Sequence, residues 1–153
     1  MSDLRELYQS VILDHNRTPR NYGPLAGATG HAEGRNPLCG DEVTVWVRME
    51  GERLADVHFV GTGCAISKAS ASLMTTAVKG KTRDEAEALF ERFHHLVTGT
   101  LPEAEQADLG SLRALGGVSR FPMRVKCASM AWHALQSALD EHNADAVVGG
   151  ATT

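Results

Sequence analysis

The stretch EVTVWVRMEGERLADVHFVGTGC, residues 42–64, decides the fold. In its first eight residues the apolar side chains occur at every second position, at Val43, Val45, Val47 and Met49. Such alternation is typical of a strand with one buried face. EGER at 50–53 has the composition of a turn, and the apolar residues of 54–60 predict a second strand. The stretch therefore predicts an antiparallel hairpin that ends at GTGC, residues 61–64.

Helical patterns surround this hairpin. Apolar residues recur at helical spacing over Leu4–Asn16, in the segment that follows GTGC, and over Lys126–His142. A T-x-x-E pair at Thr82 and Glu85 predicts a capping box for a further helix through Val97. Residues 29–35 could form a short additional strand, and residues 103–115 one or two helical turns.

Length and charge limit the possible functions. A chain of 153 residues suits one domain, which we place at 1–143, with a flexible tail at 144–153. A net charge of -4 with 5% aromatic residues argues against nucleic-acid binding, which needs a basic face. No apolar run approaches the roughly 18 residues of a membrane span, and the N-terminus lacks the apolar core of a signal peptide. We therefore expect a cytoplasmic protein without membrane contact.

The three cysteines, Cys39, Cys64 and Cys127, occur at predicted ends of elements. Cys39 lies in the turn NPLCGD, and the other two fall in the first turns of predicted helices, where the helix dipole favours a thiolate. They could simply be small buried apolar residues. Together with Asp41 they could instead form a tetrahedral zinc site with three sulfur donors. None of the seven histidines stands at a spacing typical of a metal site.

Three separated blocks resemble the IscU/NifU-type family of iron–sulfur assembly proteins. The blocks are NPLCGDEVTVWV, GTGCAISKASASLM and RVKCASMAWHAL, at residues 36–47, 61–74 and 124–135. They are most similar to the SufU branch, because Lys126 stands where IscU proteins carry a histidine, and because the run 79–122 is long enough for the SufU insertion. The resemblance implies an α/β (α+β) fold in which helices pack on one side of a small three-stranded antiparallel sheet.

The resemblance also implies a site and a partner. Cys39, Asp41, Cys64 and Cys127 are similar to the zinc ligands of the SufU branch. Cys39 is similar to the residue that accepts sulfur from a SufS-type cysteine desulfurase, for delivery to a downstream Suf scaffold or another acceptor. A closed zinc site masks its thiolates, so Cys39 would leave the metal when the desulfurase docks and supplies a replacement ligand. On this interpretation the chain acts as a sulfurtransferase.

Two other interpretations stay open. The same thiolates could hold a [2Fe–2S] cluster, which would make the chain a scaffold for cluster assembly and transfer. The chain could also be a zinc-stabilised adaptor that only binds and activates its partner. Arg124 and Lys126 flank the approach to Cys127 and are candidates to contact the ligands of an anionic metal site.

Overall fold

The structure is a computed structural model that describes residues 2–36 and 40–144, with the side chains of residues 8–36, 40–107 and 109–140. In chain order its elements are α1 (Ser2–Arg17), β1 (Gly30–Asn36), β2 (Asp41–Glu50), β3 (Arg53–Thr62), α2 (Ala65–Val78), α3 (Arg83–Thr98), two 3-10 segments (Glu103–Glu105 and Ala107–Arg120) and α4 (Pro122–Ala144). No helix of this described part is long and apolar enough to cross a membrane. The predicted tail falls mostly on residues 145–153, which lie outside the described residues.

The three strands form one antiparallel sheet in the order β1-β2-β3. The alternation of β2 is confirmed, because its apolar side chains are buried on one face, at Val43, Val45, Val47 and Met49. Helix α4 packs across β1 and β2, and α2 packs against β3 and α4. The predicted fold, with helices on one side of a three-stranded sheet, is therefore confirmed.

The helices that pack on the sheet are joined by a buried polar contact. The hydroxyl of Ser70 in α2 donates to the carbonyl oxygen of Ala128 in α4 at 2.5 Å, and accepts from the indole N–H of Trp132 at 3.3 Å. The Trp132 ring is stacked on Phe93 of α3, with 4.4 Å between the ring centroids. Since buried polar groups cost free energy unless they are paired, this contact fixes how α2 and α4 lie against each other.

Of the two helices that follow α2, α3 begins as the sequence predicts and α4 begins earlier than predicted. The capping box of α3 is present, with Thr82 and Glu85 bonded to each other's backbone N–H groups. Helix α4, however, begins at Pro122 and not near Lys126. Proline is well tolerated in the first turn of a helix, where its missing N–H costs nothing, so Pro122 starts the helix that it was expected to precede.

The N-terminal helix is attached through a buried histidine. His15 of α1 is 8% exposed, and its Nδ1 lies 2.7 Å from the hydroxyl of Ser72 in α2. The same hydroxyl oxygen accepts the backbone N–H of Arg20 at 2.8 Å, so Ser72 of α2 contacts both α1 and the residues that follow it. Burial, followed by the nearby Arg20 charge, lowers the pKa of His15 below its usual value of 6.5.

A lowered histidine pKa makes the stability of the protein depend on pH. Below pH 6.5 the unfolded chain takes up a proton at His15 more readily than the folded chain, so stability is full above that pH and falls on acidification. We expect the urea midpoint to drop between about pH 7 and pH 5, and to drop less in His15→Gln. His31→Gln, at an exposed position on β1, is the matched control. An equal pH slope in His15→Gln and wild type would contradict this role.

Candidate metal centre

The candidate centre lies where β2 begins and where α2 begins. Asp41 is the first residue of β2 and is only 1% exposed, although it carries a carboxylate. One of its carboxylate oxygens and the Sγ atoms of Cys64 and Cys127 all lie within 4.8 Å of one another. Cys64 is partly exposed and Cys127 is buried. The structure thus brings together three of the four residues predicted as ligands. The fourth, Cys39, lies outside the described residues.

Cys64 occupies the N-cap position of α2, one residue before the helix proper. Its backbone N–H donates to Oδ1 of Asp41 at 3.1 Å, and its Sγ lies 3.6 Å from Oδ2. The Asp41 carboxylate therefore pairs the backbone N–H of the N-cap residue, one of the donors left free at a helix start. An anionic group at this end also interacts favourably with the helix dipole of α2.

Cys127 reaches the same point from a different position. It is the sixth residue of α4 and lies in the second turn, beyond the N–H groups left free at a helix start. The prediction that Cys127 sits in a first helical turn is therefore wrong, and the helix-terminus argument for its thiolate does not apply. The contact between Ser70 and Ala128 lies one residue further along α4, so it fixes the position of Cys127 relative to Cys64.

Gly63 is a part of the centre that the sequence did not reveal. Its φ of +144° lies in a region that side chains rarely adopt. A Cβ atom at this position would be 2.2 Å from Oδ1 of Asp41 and 2.5 Å from its carboxyl carbon. The carboxylate therefore lies directly against the backbone of the loop before Cys64. The glycine in front of the cysteine, within GTGC, was the available signal.

The donor set fits a thiophilic divalent cation. Three potentially anionic groups this close together repel one another unless protons or a cation intervene. A tetrahedral zinc ion with Zn–S of about 2.3 Å and Zn–O of about 2.1 Å would separate a sulfur and an oxygen ligand by about 3.6 Å. The distance between Sγ of Cys64 and Oδ2 of Asp41 agrees with that value. Sulfur-rich donor sets of this kind suit zinc or iron–sulfur clusters.

The two basic residues predicted to stand near the ligands are both exposed. The guanidinium of Arg124 lies over the ring of Phe121, 6.0 Å from its centroid. Lys126 lines a cavity of about 500 Å³ between β1 and α4, together with Arg35 and His133. Their role beside a metal stays a prediction.

Known proteins are similar to this chain in sequence. The family model described as the NifU-like N-terminal domain matches residues 7–147. The iron–sulfur cluster assembly scaffold protein IscU of Streptococcus pyogenes serotype M1 is 41% identical over 91% of this chain and 86% of its own. The zinc-dependent sulfurtransferase SufU of Bacillus subtilis strain 168 is also 41% identical, over 88% of this chain and 90% of its own.

A solved structure agrees with these sequence relatives. It is that of SufU from Fervidobacterium islandicum AW-1, a candidate iron–sulfur cluster assembly scaffold for the SUF system. It is 34% identical, covers 88% of this chain and 98% of its own, and superposes with a TM-score of 0.80. The family resemblance seen in the sequence is confirmed. The chain belongs to the NifU-like N-terminal domain family of iron–sulfur cluster assembly proteins, together with relatives named IscU and SufU.

Proposed function

We propose that the chain is a zinc-dependent sulfur acceptor. It would take persulfide sulfur on Cys39 from a SufS-type cysteine desulfurase and pass it into iron–sulfur cluster assembly. The observation that carries this proposal is the convergence of Asp41, Cys64 and Cys127 in a chain that places Cys39 two residues before Asp41. The name of the Bacillus subtilis relative supports both the metal and the reaction.

In the resting protein the metal would be held by Asp41, Cys64 and Cys127, with Cys39 as the fourth ligand. Chain connectivity alone keeps the Cα atoms of Cys39 and Asp41 within about 7 Å of each other. Bound zinc would neutralise the donor charges and join β2, α2 and α4. We propose Cys39 as the ligand that leaves the metal, because it falls in the turn sequence NPLCGD, whereas Asp41 begins β2, Cys64 caps α2 and Cys127 lies within α4.

The transfer is a sulfur exchange between two cysteines. The Cys39 thiolate attacks the outer sulfur of the persulfide on the desulfurase, and a new S–S bond forms. The S–S bond of the donor breaks, its electron pair stays on the desulfurase cysteine, and that cysteine leaves as a thiolate. No net oxidant or reductant is consumed, because one persulfide replaces another. Cys39 then carries the sulfur to a downstream scaffold or another acceptor.

The second candidate function is a scaffold for a [2Fe–2S] cluster. The name of the Streptococcus pyogenes relative favours it, and cysteine thiolates are the usual ligands of such clusters. Lys126 favours sulfur transfer over the scaffold function, because it stands next to Cys127 where IscU proteins carry a histidine that could be a ligand.

The two functions are separated by metal content and by desulfurase activity. We expect freshly purified protein to be colourless, to contain stoichiometric zinc, and to keep it when iron and sulfide are added. We also expect it to raise the turnover of the desulfurase on free cysteine. Coloured protein that exchanges zinc for iron and leaves desulfurase turnover unchanged would favour the scaffold and contradict the proposal.

The substitution Asp41→Asn separates the two roles of the carboxylate. Asparagine keeps an oxygen that can accept the N–H of Cys64, so the hydrogen bond at the start of α2 should be retained. It removes the negative charge and is a poorer zinc ligand, so we expect the metal affinity to fall about 100-fold, at least the upper end of the loss caused by changes outside the ligand set. Competition with a chromogenic chelator measures that affinity, and circular dichroism checks the fold. An unchanged affinity would remove Asp41 from the ligand set.

A further inference from the structure

A groove of about 770 Å³ lies beside the candidate metal centre. It runs between α1, the longer 3-10 segment and the first turns of α2 and α4, and we call it the insertion groove because residues 107–120 form one wall. Its floor is apolar and is formed by Ile12, Ile66, Leu96, Leu101 and Val118. Such a floor suits an apolar side chain from a ligand or partner.

The rim of the insertion groove is basic. Arg113, Arg120 and Arg124 line it, and no aspartate or glutamate occurs among its described lining residues. This contrasts with the whole chain, which carries a net charge of -4. Three guanidinium groups around an apolar floor match a ligand that carries both carboxylates and an apolar side chain.

One of these arginines has a donor without an acceptor. Nε of Arg113 is buried, and within the described residues it has no hydrogen-bond partner. A buried donor without an acceptor is costly, so a small shift of the Arg113 side chain that brings Nε to a ligand oxygen would remove that cost. An anionic group that enters the groove and reaches Arg113 would therefore be stabilised there.

The insertion groove is adjacent to the centre where sulfur would be transferred. Ile66 follows Cys64 by two residues, and Arg124 precedes Cys127 by three, so each lies within about one helical turn of a thiol. Apolar surface continues beyond the groove, since the side chain of Phe121 is 53% exposed and that of Met123 is 45% exposed. Exposed apolar residues next to arginines are typical of protein–protein contact sites.

We infer that the insertion groove binds an acidic segment of the cysteine desulfurase, with carboxylates on the arginines and an apolar side chain on the floor. The inference rests on the proposed function, which supplies the partner. A polypeptide fits better than a small anion, because Phe121 and Met123 extend the contact surface past the groove. Docking there would bring the desulfurase persulfide towards the candidate metal centre, next to which the proposed acceptor Cys39 lies in sequence.

The test compares docking and turnover in arginine variants. Desulfurase binding is titrated calorimetrically, and the stimulated turnover is measured against the concentration of this chain, for wild type, Arg120→Gln and the double variant Arg113→Gln/Arg120→Gln. We expect the double variant to raise Kd and the half-saturating concentration about 10-fold or more, with the plateau of stimulated turnover retained. Raising the salt concentration should weaken desulfurase binding by the wild-type chain more than binding by the double variant.

Arg48→Gln is the matched control. It removes one positive charge, as Arg120→Gln does, at a position on β2 seven residues from Asp41, where Arg48 forms an exposed ion pair with Glu50. Double-variant binding as tight as that of this control would overturn the inference. If the double variant loses zinc, the test uses Arg120→Gln only, because Arg120 is exposed. If Arg120→Gln stimulates the desulfurase with the same half-saturating concentration as wild type, the inference is also overturned. Failure of the wild-type chain to bind or stimulate the desulfurase would instead contradict the proposed function.

Discussion

Cys39→Ser is expected to reduce desulfurase turnover to the level of the desulfurase alone. A serine hydroxyl is not ionised near neutral pH and does not attack a persulfide, whereas a cysteine thiol supplies a thiolate. The loss should therefore be complete and not a fractional change. Alanine and sulfide released from free cysteine measure the turnover, and mass spectrometry of the variant should find no added sulfur on residue 39.

Two controls make this result specific to Cys39. Zinc should still bind to Cys39→Ser, more weakly, because Asp41, Cys64 and Cys127 are unchanged. The variant should also still bind the desulfurase, since the insertion groove is intact. If Cys39→Ser keeps full stimulation, Cys39 is not the acceptor. Stimulation by wild type without any persulfide on Cys39 would favour the non-catalytic adaptor.

Gly63→Ala is expected to cost most of the metal affinity although it changes no ligand. The new Cβ would lie 2.2 Å from Oδ1 of Asp41, so the carboxylate or the loop has to move. Since Asp41 also accepts the N–H of Cys64, that movement disturbs a carboxylate and a thiol together. We expect zinc affinity to fall about 100-fold or more. Mutations of residues that contact metal ligands typically lower metal affinity by about 10- to 100-fold, so this loss is at or above the top of that range. Chelator competition measures it.

Gly51→Ala controls for the backbone effect of replacing a glycine. Gly51 has a φ of +65° in the turn between β2 and β3, and a Cβ there would meet nothing within 4 Å. This variant should lose some stability through its backbone conformation but keep wild-type zinc affinity. If Gly63→Ala keeps wild-type zinc affinity, the Asp41 carboxylate does not lie against the backbone of Gly63, and this part of the site is wrong.

Much of the fold could be predicted from the sequence because its signals are local. The alternation of Val43, Val45, Val47 and Met49 defines both the strand and its buried face, and EGER places the turn. The capping box at Thr82 and Glu85 is also a local signal, and it is confirmed. The start of α4 was predicted four residues too late, at Lys126 instead of Pro122, because proline both ends helices and starts them.

The candidate site was less accessible to local reasoning. Cys64 and Cys127 are 63 positions apart, and spacing alone did not show that they meet Asp41. The family resemblance implied that meeting, and the packing of α2 on α4 through Ser70 accounts for it. The position of Gly63 against the carboxylate depends on how a loop crosses a strand end, which no periodic pattern encodes.

The insertion groove could not be predicted at all. The sequence predicted only one or two helical turns at 103–115, so it did not indicate that Arg113 and Arg120 line the same groove. Their common orientation towards an apolar floor appears only when α1, α2 and α4 surround the segment.

The central claim is that Cys39 receives sulfur beside a zinc site, and one measurement tests it most directly. The zinc-loaded chain is incubated with the desulfurase and free cysteine, thiols are trapped by alkylation, and the peptide that contains Cys39 is examined by mass spectrometry. We predict one added sulfur atom on Cys39 and none on Cys64 or Cys127. Added sulfur on either of those two residues, or none on Cys39 while turnover is stimulated, would contradict the proposed function.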